Sequence, residues 1–221
     1  MDAETARKLC DITSTFYREN APSFSSTRRA SWAGWRRCLN EMGVGVEPSS
    51  DASAAFPGCA LLEGAAFAAG QIPCDPLRVL DVACGNGRFL RFMQEALPGA
   101  AIAYFAVDDC EQLARDGLAG DADNVAFQKL DIANSLIDGS IERAIEAPPV
   151  DMAVCFGFFH HIPSADSRAA LLRALVKSVR PGGHVAVSLW QFAKSPELAA
   201  KAKETTAKAR VEYGLPALDE G

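Results

Sequence analysis

One stretch of seven residues constrains the fold of this chain more than any other. It reads Asp81-Val82-Ala83-Cys84-Gly85-Asn86-Gly87. It overlaps the end of a short, mostly apolar segment, residues 77–83, which predicts a buried strand. Phe89, Leu90 and Met93 follow at helical spacing. The glycines therefore belong to a strand-to-helix turn, where backbone N–H groups can come close to a ligand.

Strand-like and helix-like segments alternate after this turn. Such alternation predicts an α/β fold whose parallel sheet is covered by helices on both faces. The predicted strands are residues 78–83, 101–107, 125–130, 151–156 and 184–190, and the predicted helices are residues 88–96, 111–119, 140–146 and 165–179.

The C-terminal part of the sequence predicts a turn and then a long helix. Arg180-Pro181-Gly182-Gly183 is typical of a sharp turn before the fifth strand. Ser195 is a helix cap with Pro196 at the first helical position, and the helix should close near Gly214. About thirty residues follow Trp190, mostly helical by pattern. The sequence therefore predicts a sheet without a further pair of strands.

The N-terminal part predicts helices rather than strands. Apolar residues recur at helical spacing in residues 3–17 and again from Trp32 to Met42. A turn is expected at residues 21–23, a loop at 43–58 and a short buried helix at 60–69. We therefore divide the chain into an N-terminal helical extension, residues 1–70, and an α/β core, residues 71–221.

Composition limits the class of protein and its partners. The net charge is −6, and because residues 1–46 carry +2, the remainder carries −8. Seven cysteines without a C-x-x-C pair favour a reduced, cytoplasmic protein without a zinc ribbon. No apolar run reaches membrane-spanning length, which predicts no membrane partner. The small basic cluster is either a solvated helix face or a phosphate-facing patch: Arg28, Arg29, Arg36 and Arg37.

The turn resembles the first motif of class I S-adenosylmethionine-dependent methyltransferases. The acidic Asp81 four positions before Gly85 separates it from the dinucleotide fingerprint, as does Leu90 in place of a third glycine. The resemblance implies a Rossmann-like sheet, S-adenosylmethionine as cofactor and S-adenosylhomocysteine as product. It implies cofactor contacts from the turn residues Asp81, Ala83, Gly85, Asn86 and Gly87.

Carboxylates at the ends of the next two strands extend the predicted cofactor site. Asp108 stands where this superfamily binds the ribose hydroxyls, and Asp109 is its neighbour. Asp131 and the backbone N–H of Ile132 resemble the segment that reads adenine. Any one of these could be a solvated strand end, but their joint order after Gly85 favours a cofactor site.

An aromatic and histidine-rich segment, residues 155–163, follows the fourth strand. Phe156 is placed to pack against a sulfonium, since a positive charge favours an aromatic face. His160 is the candidate catalytic residue, as a group that contacts the acceptor or its proton. The alternative is that the two histidines only shape the loop. Their adjacency and the lack of a third ligand at metal spacing predict no metal site.

A closer resemblance extends over residues 13–192, apart from the loop at 43–58. Tyr17-Arg-Glu-Asn-Ala-Pro-Ser-Phe-Ser-Ser-Thr-Arg28, Trp32 and the segment from Arg180 to Trp190 are similar to the tRNA wobble-uridine carboxymethyl methyltransferases and their bacterial relatives. The resemblance implies that Tyr17 caps the cofactor pocket and that Arg28 pairs with the methionine carboxylate. Both could instead be ordinary surface residues. Similar eukaryotic enzymes work with a small zinc-containing activator subunit.

These observations predict methyl transfer from S-adenosylmethionine to a nucleophile by in-line displacement. The acidic charge favours a small-molecule acceptor, and tRNA with a partner protein is the alternative acceptor. A non-catalytic module that binds S-adenosylmethionine is the rival from another class. A nucleotide-dependent oxidoreductase lacks support, because the sequence offers neither the third glycine nor a separate substrate domain. The oligomeric state is left open.

Overall fold

A computed structural model describes residues 2–44, 76–118 and 124–214. Within them, five strands form one all-parallel sheet in the order β3-β2-β1-β4-β5. This confirms the predicted Rossmann-like α/β class. The strands are β1 (Leu77–Val82), β2 (Ile102–Asp108), β3 (Val125–Lys129), β4 (Val150–Cys155) and β5 (Val179–Val187).

Helices flank the sheet and precede it. The helices of the described residues are α1 (Ala3–Thr27), α2 (Ala33–Glu41), α3 (Arg88–Ala96), α4 (Glu111–Leu118), α5 (Ile132–Ile137), α6 (Ile141–Ala144), α7 (Ala165–Ser178) and α8 (Pro196–Tyr213). Short 3₁₀ turns cover Phe159–His161 and Phe192–Lys194.

Successive residues of the central strands face opposite sides of the sheet and build two cores. Val79 packs in a core with α2 and α3, which also contains Trp35 and Phe89. Leu80, the next residue, packs in the other core with Leu171 of α7. Burial on both faces explains why β1 and β4 are nearly continuous apolar runs.

The fifth strand differs from its prediction at both ends. It begins at Val179, which pairs with Val150, so the predicted turn at residues 180–183 lies inside the strand as an irregularity of register. Gly183 permits this path, because a Cβ there would lie 2.6 Å from the carbonyl oxygen of Asp151. The strand ends at Val187, so Trp190 lies beyond it.

The predicted turn at residues 21–23 was wrong, because α1 continues through Pro22 to Thr27. Proline removes one backbone donor and usually ends or kinks a helix. Here Ala21 is fully buried against Cys110 and Leu113, with Tyr17 and Phe24 beside it. Tertiary packing on both sides of the proline stabilises the helix.

Other predictions had mixed outcomes. Helix α2 and the capped helix α8 lie where the sequence placed them, whereas α5 was not predicted. The expected loop at 43–58 falls almost wholly outside the described residues, and the expected helix at 60–69 does so entirely. Cys10, Cys84, Cys110 and Cys155 are free thiols. No helix there is both long and apolar enough to cross a membrane.

Candidate functional site

A cleft of about 400 Å³ opens at the carboxyl ends of β1, β2 and β4, beneath α1. This is where open α/β sheets bind ligands, and the volume suits a small-molecule ligand. Twelve of the thirteen site residues predicted from sequence line it: Tyr17, Arg28, Asp81, Ala83, Gly85, Asn86, Asp108, Asp109, Asp131, Ile132, Phe156 and His160.

The exception is Gly87, which does not line the cleft. It caps the N-terminus of α3 in a left-handed conformation, with φ of 62°. A Cβ at this position would lie 2.7 Å from the Leu118 side chain and 3.2 Å from the carbonyl oxygen of Gly117. Its place in the motif is therefore explained by close packing of α3 against α4.

The turn after β1 has a tightly wound backbone. Ala83 and Gly85 both have positive φ, 63° and 55°. This conformation costs a residue with a Cβ about 1 kcal/mol or more, so Ala83 must be held by its surroundings. Its N–H donates to the carbonyl oxygen of Val107 at 2.8 Å, which attaches the turn to β2.

Asp108 at the end of β2 organises the same turn. Its Oδ2 accepts a hydrogen bond from the N–H of Gly85, and its Oδ1 accepts one from the N–H of Cys110, both at 2.8 Å. Burial raises the pKa of Asp108, although the two backbone donors oppose that shift. The carboxylate thus has acceptor capacity left for a hydroxyl in the cleft.

Asp81 faces the cleft from β1 and is 2% exposed. The hydroxyl of Tyr104, on the neighbouring strand, donates a hydrogen bond to its Oδ2. Burial raises the pKa of Asp81 to about 7, while the Tyr104 hydrogen bond lowers it and the charge of Asp108 raises it. Sequence reasoning did not identify Tyr104.

Asp131 lies in the cleft wall but also caps α5. Its two carboxylate oxygens accept from the backbone N–H of Asn134 at 2.9 Å and from the Asn134 side-chain amide at 2.6 Å. Burial and the charges of Asp131 and Asp11 raise the pKa of the Cys10 thiol to about 11. Helix α1 therefore lies close over this end of the cleft.

Hydrogen bonds fasten the N-terminal segment across the cleft. The Ser14 hydroxyl donates to Oδ2 of Asp109 at 2.5 Å, which gives Asp109 a partner in α1. The side-chain amide of Asn86 donates to the carbonyl oxygen of Arg28 at 3.1 Å, so the link after α1 rests on the glycine turn. Trp32 then packs over Gly157, where a Cβ would lie 3.1 Å from the indole ring.

Four side chains form what we term the aromatic corner: Tyr17, His160, His161 and Trp190. The Tyr17 hydroxyl oxygen lies 3.1 Å from Nε2 of His161. The His160 ring stacks on Trp190, with centroids 4.9 Å apart and planes 8° from parallel. Burial lowers the pKa of His160, and burial together with His160 lowers that of His161 to about 4. Both imidazoles are therefore neutral at pH 7.

Phe156 belongs to a second group of aromatic rings that lines the cleft, which we term the aromatic wall. Its ring meets those of Phe89, Trp35 and Trp32 at centroid distances of 4.9, 5.7 and 6.4 Å. The sequence placed Phe156 in the site but treated Trp35 only as a helix residue. The cluster fixes the orientation of Phe156, since each ring packs against at least one other.

Two arginines line the end of the cleft near this wall. Arg28 lies over the ring of Phe24 at 4.1 Å, and Arg88 lies over Trp32 at 5.0 Å. Neither forms an ion pair with an acidic side chain of the described residues. Burial and the charge of Arg28 lower the pKa of Arg88. The cleft is therefore lined by both carboxylates and guanidinium groups.

The described residues contain no cluster of three or more histidine, cysteine, aspartate or glutamate side chains suited to a metal ion.

Comparison with known proteins finds a family that resembles the central part of the chain. Residues 80–185 match the model of a protein family described as a methyltransferase domain. The match spans β1 to β5 and includes the glycine turn, Asp108, Asp131 and the aromatic corner residues of the β4 loop. Residues 80–185 are therefore similar to a methyltransferase domain, as the sequence predicted.

One curated relative and two solved structures illustrate the likeness. A tRNA (carboxymethyluridine(34)-5-O)-methyltransferase of Arabidopsis thaliana is 25% identical over 113 residues, which are 51% of this chain and 24% of the relative. The chain thus spans about a quarter of that relative's length. The structure titled DhpI-SAM-HEP complex has a TM-score of 0.47 and 19% identity, covering 86% of this chain and 71% of that one. The N-methyltransferase NodS of Bradyrhizobium japonicum, solved with S-adenosylhomocysteine, has a TM-score of 0.38 and 16% identity, covering 49% and 50%.

Proposed function

We propose that this chain is a methyltransferase that binds S-adenosylmethionine in the cleft and passes its methyl group to a nucleophilic acceptor. The observation that carries the proposal is the position of Asp108, whose carboxylate holds Gly85 and lines the cleft beside it. A buried carboxylate there suits the two hydroxyls of a ribose. The family match over residues 80–185 supports the same activity.

The residues around the cleft fit this cofactor. We assign the ribose hydroxyls to Asp108, the adenine to Asp131 and the N–H of Ile132, and the methionine carboxylate to Arg28. The presence of both carboxylates and arginines in the lining supports a ligand with hydroxyls, a carboxylate and positive charge.

The chain's own contribution to the reaction is alignment and exclusion of water. When bound, S-adenosylmethionine supplies a methyl group on a positive sulfur that keeps the electron pair of the broken bond. Phe156 offers an aromatic face to positive charge in the cleft. The walls hold acceptor and methyl group in line, which lowers the entropic part of the barrier.

We propose that the N-terminal segment, within residues 1–70, acts as a lid over the core of residues 71–221. The contacts Ser14–Asp109, Tyr17–His161 and Asn86–Arg28 support this role, because each joins the segment to a residue of the cleft wall. A closed lid would keep water from the cofactor.

We place the acceptor at the aromatic corner, with His160 as the residue that contacts it. A small molecule is the favoured acceptor. The net charge of −6 opposes a polyanion, and part of the basic cluster is already engaged. Arg37 pairs with Glu41 at 3.6 Å, and Arg36 lies over Phe92 at 5.9 Å.

tRNA, bound with the help of a partner protein, is the second candidate acceptor, and the Arabidopsis relative favours it. If tRNA is bound by this route, affinity should fall steeply with salt, and replacing Arg36 and Arg37 by glutamine should flatten that slope. Tight, salt-sensitive binding of tRNA by the purified chain alone would overturn the preference for a small molecule.

The decisive experiment is turnover. The purified chain is incubated with labelled S-adenosylmethionine and pools of small molecules or of tRNA, and S-adenosylhomocysteine and labelled product are measured. Product formation supports the proposal and identifies the acceptor pool. Binding without product in any pool would favour a non-catalytic S-adenosylmethionine-binding module instead.

A further inference from the structure

We infer that the acceptor is a small, uncharged aromatic ring that carries a hydroxyl group, held by stacking on Trp190 and by a hydrogen bond from its hydroxyl to His160. The inference rests on the proposed function and names the chemical class of the acceptor at the aromatic corner. It makes Trp190 a residue that determines which acceptors fit.

Trp190 presents a flat apolar surface at the cleft. It lies beyond the end of β5, lines the cleft and is 60% exposed. His160 covers one face of the indole, since the two rings are nearly parallel with centroids 4.9 Å apart. The exposed surface therefore belongs to the opposite face and the ring edge. Such a surface binds a flat ring by stacking, which a saturated ring cannot match.

The surroundings of the aromatic corner favour a ring without formal charge. Burial lowers the pKa of both histidines, and among the described residues the only added electrostatic effect is that of His160 on His161. The other rings that meet His161 are those of Tyr17 and Phe158. None of the salt bridges within the described ranges involves the corner. A charged acceptor would therefore lose hydration without gaining an opposite charge.

His160 provides a hydrogen-bonding group beside the stacking surface. In His161, Nε2 already lies 3.1 Å from the Tyr17 hydroxyl oxygen. For His160, no hydrogen bond to either ring nitrogen is found in the part of the chain that the structure describes. A neutral imidazole has one nitrogen that accepts a hydrogen bond, which suits a hydroxyl donor on the bound ring.

The reaction at this position is methylation of the hydroxyl oxygen. A lone pair of that oxygen forms the new C–O bond while the S–C bond of the methyl donor breaks, and the electron pair of the broken bond stays on sulfur. The hydroxyl proton passes to the accepting nitrogen of His160 and then to water. The products are the methyl ether of the ring, S-adenosylhomocysteine and a proton.

The test is calorimetric binding to the full chain saturated with S-adenosylhomocysteine. The probes are naphthol and its saturated counterpart decahydronaphthol, which carry the same hydroxyl on the same carbon skeleton and differ in flatness. We expect naphthol to bind at least about fivefold more tightly. Naphthoate and naphthylmethylamine, which place a negative or a positive charge on the same ring system, should bind more weakly than naphthol.

Trp190→Leu removes the flat ring and keeps an apolar side chain. It should weaken naphthol binding by about 5- to 150-fold and bring naphthol and decahydronaphthol to similar affinities. Trp190→Phe should retain most of the preference, because it keeps an aromatic face. Tyr213→Leu removes an exposed aromatic ring at the end of α8, outside the cleft, and is the matched control.

Turnover of naphthol with labelled S-adenosylmethionine gives a second measurement. Methoxynaphthalene should form, and Trp190→Leu should raise KM with little change in kcat, because stacking holds the ring equally before and during methyl transfer. Thermal melting without ligand checks that each variant folds. If Trp190→Leu does not fold, the comparison of the four probes on the unmodified chain still decides the inference.

The outcomes separate this inference from the proposed function. Naphthol that binds no better than decahydronaphthol, or a preference that survives in folded Trp190→Leu, overturns the stacking site and leaves the methyltransferase proposal in place. Tighter binding of a charged probe, or methylation of tRNA without any binding of naphthol, overturns the acceptor class. Absence of binding of both S-adenosylmethionine and S-adenosylhomocysteine overturns the proposed function itself.

Discussion

Tyr17 and His161 stand 144 residues apart in sequence and share a hydrogen bond of 3.1 Å between the phenol oxygen and Nε2. Their rings also meet edge to face, with centroids 5.6 Å apart. Through this pair, α1 contacts the loop after β4 directly, on the side of the cleft where we place the acceptor.

We expect Tyr17→Phe to weaken binding of S-adenosylmethionine about two- to tenfold, because loss of the hydrogen bond loosens α1 over the cleft. The ring contacts should persist, so the free energy of unfolding should change little. Calorimetry gives the affinity. Tyr213→Phe, at the end of α8 and outside the cleft, is the matched control. Equal affinities for the two variants would argue against a closing role for Tyr17.

Asp108→Ala should weaken binding of S-adenosylhomocysteine by about 1–3 kcal/mol, because the ribose loses a charge-assisted acceptor and the turn loses one of its hydrogen bonds to β2. NAD should not stabilise the chain against heat. Calorimetry measures the first effect and thermal shift the second. Asp166→Ala, at an exposed position of α7, should bind as the unmodified chain does. Stabilisation by NAD and none by S-adenosylhomocysteine would contradict the cofactor assignment.

Asp81→Asn should stabilise the ligand-free chain increasingly as pH rises from 5 to 7. The pKa of Asp81 is raised from 3.8 to about 7 in the folded chain, so its contribution to stability is present below 3.8 and lost as pH rises to about 7. The difference in unfolding free energy should grow by about 1.4 kcal/mol per pH unit and then level off.

Urea unfolding of both proteins at pH 5, 6, 7 and 8 measures this difference. Asp166→Asn serves as the exposed control. A difference independent of pH would mean that Asp81 is ionised throughout the range.

If His160 accepts a proton from the acceptor, His160→Gln should lower kcat about 10²- to 10⁴-fold. Because burial lowers the pKa of His160, the acid limb of the kcat profile should lie below pH 6.5, with a flat profile above pH 7. His184→Gln, on β5 and outside the cleft, is the matched control. If the kcat of His160→Gln stays within a few-fold of that of the unmodified chain, His160 only shapes the loop and takes no proton from the acceptor.

The parts of the fold that sequence predicted are those set by local pattern. Alternation of apolar strands and amphipathic helices gave the five strands, and capping residues gave α8 with Ser195 and Gly214 at its ends. The turn predicted at Pro22 was wrong, because the local sequence does not show that Ala21 packs against residues of α4 and so stabilises the helix there. The sequence analysis assigned Asp131 to a ligand. It did not predict that Asp131 also caps α5, although an aspartate is a common helix cap.

The lining of the cleft was predictable from the sequence where a carboxylate stands at a strand end, as Asp108 and Asp131 do. Tyr104 could not be predicted as a residue of the cleft wall's hydrogen-bond network. A tyrosine inside a strand cannot be told from any other buried aromatic by its sequence pattern, and its partner Asp81 is 23 residues away. Trp190 lies in the segment from Arg180 to Trp190 that carries the family resemblance, but the sequence predicted it as the last residue of a strand. The strand ends at Val187, so Trp190 lies beyond it and stacks on His160.

The hydrogen bond from Gly85 to Asp108 makes the proposed ligand site depend on two strands rather than on one motif. A peptide spanning residues 77–96 would contain every glycine of the turn, yet it would lack the carboxylate that holds the turn in shape. Competence to bind should therefore appear during folding only when β1 and β2 have paired. For the same reason, transplanting this turn into another protein would require the neighbouring strand to be moved with it.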